Sequence, residues 1–278
     1  MANAALTTIL LQPKYELIPM KGVEKQVPHL PGVGKVSVTC SPTKGIPATI
    51  ELVKTVRQQV AAETIIPHIA ARMVEGEEHL GKILTTLQGI GIREVFVVGG
   101  DHPEPKGPYS GSFDLVKAIY ESEFDFGIGS TAYPEGHADI PDDVLMADLK
   151  RKDPYVDYVA TQMCFDPNSI QRWIEHIRAE GVQSPIHLGV PGVIDIVKLI
   201  SISSRIGIGD SLRYLKKHSG NVIKLMGGYS PDHLIDEMMS AFENPDYNIE
   251  EFHLYSFNQV KKTESWRSSK LASLQEVA

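Results

Sequence analysis

Residues 64–101 read TIIPHIAARMVEGEEHLGKILTTLQGIGIREVFVVGGD, and the fold is decided there. Thr64–Ile69 is a short apolar run rich in β-branched residues, which reads as a strand. From Glu77 to Leu87 the apolar residues Leu80, Ile83, Leu84 and Leu87 recur at helical spacing. Glu94–Val98 is a second strand-like run, and it ends on Gly99-Gly100-Asp101. A strand, a helix and a second strand in this order make a parallel crossover unit.

The same alternation runs outward in both directions. Further strands are expected at Tyr15–Pro19, Lys35–Thr39, Asp125–Ser130, Tyr158–Thr161, Pro185–Gly189 and Phe252–Phe257. Helices are expected at Ala48–Ala61, Ser112–Glu121, Asp142–Arg151, Asn168–Glu180, Ile194–Ser203 and Pro231–Asn244, with further helix near Ser211–His218. Eight strands in 278 residues point to a single (β/α)8 barrel of the TIM type. On pattern alone, an open doubly wound sheet is the alternative. Lys21–Lys35 reads KGVEKQVPHLPGVGK. Its prolines and glycines disfavour a helix, so the first crossover is expected to be a shortened helix or a loop. No linker divides the chain. Residues 1–260 are read as the barrel domain, and 261–278 as a polar tail, either a short helix or frayed.

Composition narrows the function. Net charge is -8 and the pI is near 5.7. No global basic field is present, which argues against nucleic acid as a partner. No apolar run approaches the roughly 20 residues of a membrane span. The apolar stretch from Ala5 follows no lysine or arginine and stops at Gln12-Pro13, so it is a poor signal peptide. The two cysteines, Cys40 and Cys164, have no metal or CxxC spacing. They are expected to be buried, inert thiols in a reducing compartment, with the cytoplasm as default.

Several apolar runs end on a polar residue: Thr39, His68, Asp101, Tyr133, Gln162 and Asn258. Barrel enzymes carry their chemistry at the C-terminal strand ends, so these side chains would converge on one mouth. Other motifs fail. GVGK at Gly32–Lys35 has His29 and Val36 where a phosphate loop needs glycine and Ser/Thr. No GxGxxG follows a strand. Glu135, His137 and Asp139 lack HExxH spacing, and only His68 stands at a strand end as a metal ligand would, so no metal is expected.

The segments YELIP, VSVT, PHIA, GGDHP, AYPEGH, LKRK and TQMCFD occur in that order, with FHLYSFN near the end. Together they resemble the methylenetetrahydrofolate reductase family, from about Tyr15 to Asn258. The resemblance implies a flavin-binding β/α barrel acting on a reduced folate with NADH or NADPH through FAD. It implies that Glu16 is the general acid that opens the methylene bridge. Burial would hold such a carboxyl protonated near neutrality. It implies that Asp101 lies between flavin and pterin, and that Gln162 contacts the pterin. Thr39, His68, Asp101, Tyr133 and His137 match flavin-contacting positions, and Asp148, Arg151 and Lys152 match the site for ribose and pyrophosphate. The family is often oligomeric, which leaves a homo-oligomer open.

The sequence also departs from the family. Gly99 replaces an arginine before Gly-Asp, Leu145 replaces an acid near LKRK, Thr39-Cys40-Ser41 replaces Thr-Tyr-Gly, and Gln259 replaces an arginine. Two alternatives therefore stand beside the flavin route: the same reaction by direct hydride transfer from nicotinamide, and a folate-binding barrel serving methyl transfer.

Overall fold

The computed structural model describes residues 2–32, 34–60, 64–205, 223–224 and 228–276. Eight strands form its centre: β1 (Lys14–Leu17), β2 (Lys35–Val38), β3 (Thr64–Ala70), β4 (Glu94–Val98), β5 (Gly127–Ala132), β6 (Tyr158–Thr161), β7 (Ile186–Pro191) and β10 (Ile249–Tyr255). Each pairs in parallel with its neighbours, and β1 pairs with both β2 and β10. That last pairing closes the ring and rules out an open sheet. A two-stranded antiparallel hairpin, β8 (Ile223–Lys224) and β9 (Gly228–Tyr229), lies outside the barrel.

The crossover helices are α2 (Gly45–Gln59), α3 (Glu77–Gly89), α4 (Ser112–Tyr120), α5 (Asp142–Lys152), α6 (Pro167–Ala179) and α7 (Ile196–Arg205). Local signals set their starts. Asp166 caps α6 by accepting from Asn168 N at 3.0 Å, and Pro167 needs no donor partner in the first turn. The expected helix over Pro231–Asn244 divides at Met238 into Asp232–Glu237 and Met239–Phe242. The expected helix near Ser211–His218 lies outside the described residues. Among the described residues, the first crossover holds two 3-10 turns, Val23–Lys25 and Val27–His29, and no longer helix, as its prolines dictate.

Two helices were not foreseen at their observed lengths. Ala2–Leu11 precedes β1, and the polar end forms a helix over Val260–Glu276. Arg267 ties the second helix to the first by donating to the Leu10 carbonyl at 2.6 Å, and Glu264 ties it to β1 by accepting from the Tyr15 hydroxyl at 2.5 Å. The main apolar core lies between the outer barrel face and the helices, where Val36, Val38, Ile65, Val95 and Val97 meet Leu52, Val53, Ile83 and Leu84. Cys164 is buried there, whereas Cys40 is only partly covered.

Barrel closure has side-chain help at the C-terminal ends of the strands. Asn258, in the left-handed region at φ 56°, receives Ile18 N at 2.9 Å and donates to the Ile18 carbonyl at 2.8 Å. Its amide thus stands in for a strand partner beyond the end of β1. Ser256 adds a bond from its hydroxyl to the Glu16 carbonyl at 2.5 Å.

Candidate active site at the barrel mouth

Strand alternation sends Lys14 and Glu16 from β1 into the barrel, and Glu251, His253 and Tyr255 from β10. The inner face also carries His68, Phe96, Tyr158 and His187, linked by ring contacts such as His68–Phe96 at 4.7 Å and Tyr158–His187 at 3.7 Å. An interior this polar is unusual, since barrel cores are mostly branched aliphatic.

Glu16 sits in the middle of this face with 11% of its side chain exposed. His253 Nε2 lies 3.1 Å from its Oε2. Burial pushes the Glu16 carboxyl up to about 7, against a smaller opposing pull from His68. Burial likewise holds His68 and His253 down at about 3, so both imidazoles are neutral near pH 7. His68 Nε2 bonds Ser37 Oγ at 2.5 Å. Glu16, His68 and His253 bring ligand atoms within 4.8 Å of one another, a spacing a divalent cation could bridge. Two of the nitrogens in this group are already engaged, His253 Nε2 by Glu16 and His68 Nε2 by Ser37, so the group reads first as a hydrogen-bond network.

Below Glu16 lies a buried ionic floor. Lys14 is fully enclosed, 3.2 Å from Glu251 Oε2, bonded to His187 Nδ1 and seated over the Tyr158 ring. Lys35 reaches Glu251 at 2.6 Å. Burial lowers the Lys14 ammonium to about 8 even though Glu251 opposes the change.

Above Glu16, a side chain of β10 reaches the end of β6. Tyr255 donates to the Thr161 carbonyl at 2.8 Å, one residue before Gln162. Burial raises the Tyr255 hydroxyl well above its usual value, and the charge of Glu16 and the phenol of Tyr133 add to this. Burial raises the Tyr133 hydroxyl as well, with the nearby Asp148 and Asp101 carboxylates adding to it. Tyr133 meets the His137 ring edge-on at 5.4 Å. Asp101 is exposed after Gly100, whose φ of 90° favours glycine and where a Cβ would lie 2.9 Å from Ala70 Cβ. Gln162 turns its Oε1 onto Met163 N at 3.0 Å. Thr39 is half-buried at the end of β2, and its carbonyl accepts from Thr49 Oγ1 at 2.9 Å.

Beside this mouth, a cavity of about 710 Å³ opens between the β5 loop, α5 and α6. Tyr133, Asp148, Lys150, Lys152, Arg172, Trp173 and His176 line it, while Glu16, Asp101 and Gln162 do not. Glu135, Asp142, Asp143, Asp148 and Glu180 share this wall with the cations, and Lys150 is paired with Glu180 at 3.0 Å, so the groove is not by itself a built anion site. The expected anion-binding cations fare differently. Lys152 is 1% exposed and spends its ammonium on Asp148 at 2.8 Å, the Thr131 carbonyl at 3.0 Å and Ser112 Oγ at 3.3 Å. Arg151 lies over the Phe113 ring at 3.9 Å. Lys150, Arg172 and His176 are the other basic side chains on the cavity wall.

Sequence reasoning missed His253, Tyr255 and the Lys14–Glu251 floor. The alternation of Lys14 with Glu16 and of Glu251 with His253 and Tyr255 was a usable signal: charged and polar residues at every second position of an interior strand.

The model of the methylenetetrahydrofolate reductase family matches residues 33–265. Methylenetetrahydrofolate reductase (NADH) 1 of Arabidopsis thaliana is 28% identical over 168 residues, 53% of this chain and 27% of that protein. The 5,10-methylenetetrahydrofolate reductase of Pectobacterium carotovorum is 30% identical over 165 residues, 58% of this chain and 53% of that protein. Methylenetetrahydrofolate reductase 2 of Saccharomyces cerevisiae is 34% identical over 118 residues, 38% of this chain and 19% of that protein. The matched part thus spans from about a fifth to about half of these relatives' lengths. Among solved structures, a Clostridium thermocellum protein that binds two copies of 5-methyl-5,6,7,8-tetrahydrofolic acid superposes with a TM-score of 0.63 at 11% identity, covering 97% of this chain and 98% of that one. A Cycas revoluta chitinase superposes at 0.56 with 10% identity, covering 94% of this chain and 99% of that one, so these likenesses speak for the barrel alone. With the family model matched over most of its length, the chain belongs to the methylenetetrahydrofolate reductase family.

Proposed function

We propose that this chain interconverts 5,10-methylenetetrahydrofolate and 5-methyltetrahydrofolate, using NADH or NADPH through FAD, in the cytoplasm. The observation that carries the reading is Glu16: a carboxyl enclosed at the barrel mouth, held up to about 7, beside two neutral imidazoles. Such an acid keeps its proton at neutral pH and can also give it up. In the reducing direction Glu16 delivers a proton to N10 of the folate, the N10–CH2 bond breaks, and an iminium remains at N5. A hydride added to that carbon yields the methyl group. In the other direction the Glu16 carboxylate takes the proton back from N10 as the ring closes.

Asp101 and Gln162, beyond the ends of β4 and β6 with β5 between them, offer an acceptor and an amide to the amino-pyrimidine edge of a pterin. By the family resemblance, Thr39, His68, Asp101, Tyr133 and His137 would lie against the flavin. When bound, the flavin supplies the hydride that nicotinamide has given it. The Clostridium thermocellum neighbour that binds 5-methyltetrahydrofolic acid supports a folate in a barrel of this shape.

Gly99 favours a second reading, direct transfer from nicotinamide to folate without flavin, because it removes the family's arginine at that strand end. The test is direct. Purified protein should show flavin absorbance, and NADH should bleach it under anaerobic conditions. Ping-pong kinetics support the relay, whereas a colourless active protein with a ternary complex refutes it in favour of direct transfer. Glu16→Gln should keep folate binding and lose about a hundredfold or more of turnover. Unchanged turnover would remove Glu16 from the mechanism.

A further inference from the structure

His253 was not among the expected site residues, and nothing in the reaction above needs it as an acid or base. It is 1% exposed, and its Nε2 stands 3.1 Å from Glu16 Oε2. Its Nδ1 is buried and has no hydrogen-bond partner among the described residues. These two facts select a tautomer. A buried N–H without an acceptor is rarer than a bare lone pair, because the donor forfeits its single bond outright. Nδ1 is therefore the bare nitrogen, and Nε2 carries the hydrogen and donates it to Glu16 Oε2. An oxygen receiving that hydrogen bond is the poorer place for a second proton.

We infer that His253 is a positioning residue that fixes which oxygen of Glu16 works: its Nε2–H holds Oε2, so the catalytic proton resides on Oε1. The inference rests on the proposed role of Glu16 and deepens it. The surroundings keep this arrangement in one state. From β3, His68 faces Glu16, and its ring centroid is 6.2 Å from that of His253. From β10, the Tyr255 ring is 5.0 Å from His253. From β1 and β10, Lys14 and Glu251 act on His253 with opposite signs: the ammonium disfavours a proton on the imidazole and the carboxylate favours one. Phe96, from β4, closes the remaining side at 5.9 Å. These rings crowd His253 and favour a single orientation of the carboxyl it holds.

The experiment reads Glu16 itself. Its protonated-carboxyl infrared band, assigned by its disappearance in Glu16→Gln, is titrated in wild type, His253→Gln, His253→Asn and His253→Leu. A glutamine amide reaches the Nε2 position and can donate to Oε2, whereas an asparagine amide reaches only the Nδ1 position. Losing a donor to the carboxylate should move the Glu16 titration to higher pH in the Asn and Leu variants, by about one to two pH units. The alkaline fall of folate reduction should move with it, kcat should drop about tenfold or more, and KM should stay within about threefold. Gln should recover most of both effects, which a residue serving only packing would not do. Gln and Asn are both polar and of similar bulk, so their contrast stands even if the Leu variant does not fold. A Glu16 titration that is unchanged in Asn, or equally displaced in Gln and Asn, overturns the inference. So does activity that a chelator abolishes and a divalent cation restores, because the three side chains would then be ligands. If wild type lacks folate turnover while the infrared contrast holds, the proposed function fails and the positioning of Glu16 stands.

Discussion

Replacing Glu16 with glutamine should make the protein more stable at alkaline pH while it inactivates it. In the folded chain the carboxyl ionises near 7, whereas in the unfolded chain it ionises at its ordinary value, 4.5. Between these values the folded state holds the extra proton. Stability therefore falls as pH rises through this window, and it levels off above about 7. At 1.36 kcal/mol per pH unit the full penalty is about 3 kcal/mol. Glutamine carries no charge and can still accept the His253 hydrogen bond through its carbonyl oxygen, so the penalty disappears. For 278 residues, with an unfolding entropy near 2.1 cal/mol/K per residue, about 3 kcal/mol corresponds to roughly 5 °C in Tm. The assay is thermal unfolding of both proteins at pH 4.5 and pH 8. The difference between the two ΔTm values cancels effects that do not depend on ionisation. We expect the variant to gain about 5 °C relative to wild type between the two pH values. A ΔTm that is the same at both would refute the claim that Glu16 keeps its proton to near pH 7 in the folded chain.

Two further predictions follow from the barrel interior. His68 and His253 are held at about 3 against an ordinary 6.5, so the unfolded chain binds more protons across that interval and stability should fall as pH drops from 6.5 toward 3. Urea unfolding midpoints measured from pH 7 to 4 should show this decline, and His68→Gln should flatten it; a decline of the same slope in that variant would count against the assignment. Gly189→Ala would place a Cβ 2.1 Å from the Thr161 carbonyl oxygen and 2.8 Å from Tyr255 Cε2, so the Tyr255 ring and the strand behind it must shift. Denaturation should show a loss of about 1–3 kcal/mol, and wild-type stability would contradict the close approach.

The division between sequence and tertiary structure runs along the range of the forces involved. Strand and helix identity is local, and alternating β-branched runs such as Thr64–Ile69 and Glu94–Val98 announced a parallel α/β fold with nearly correct boundaries. The prolines of Lys21–Lys35 announced the missing crossover helix. The segment order from YELIP to FHLYSFN carried the family and marked Glu16. None of this could show that β1 and β10, more than 230 residues apart in sequence, lie side by side. Register then placed His253 against Glu16 and seated Tyr255 beside Gly189. Nor could the sequence show that Lys152 points inward and is fully spent on Asp148, Thr131 and Ser112. Periodicity identifies which residues share a face because it depends on backbone geometry within one element. The pKa of Glu16 depends on the absence of water around it, and only the closed barrel decides where water is excluded.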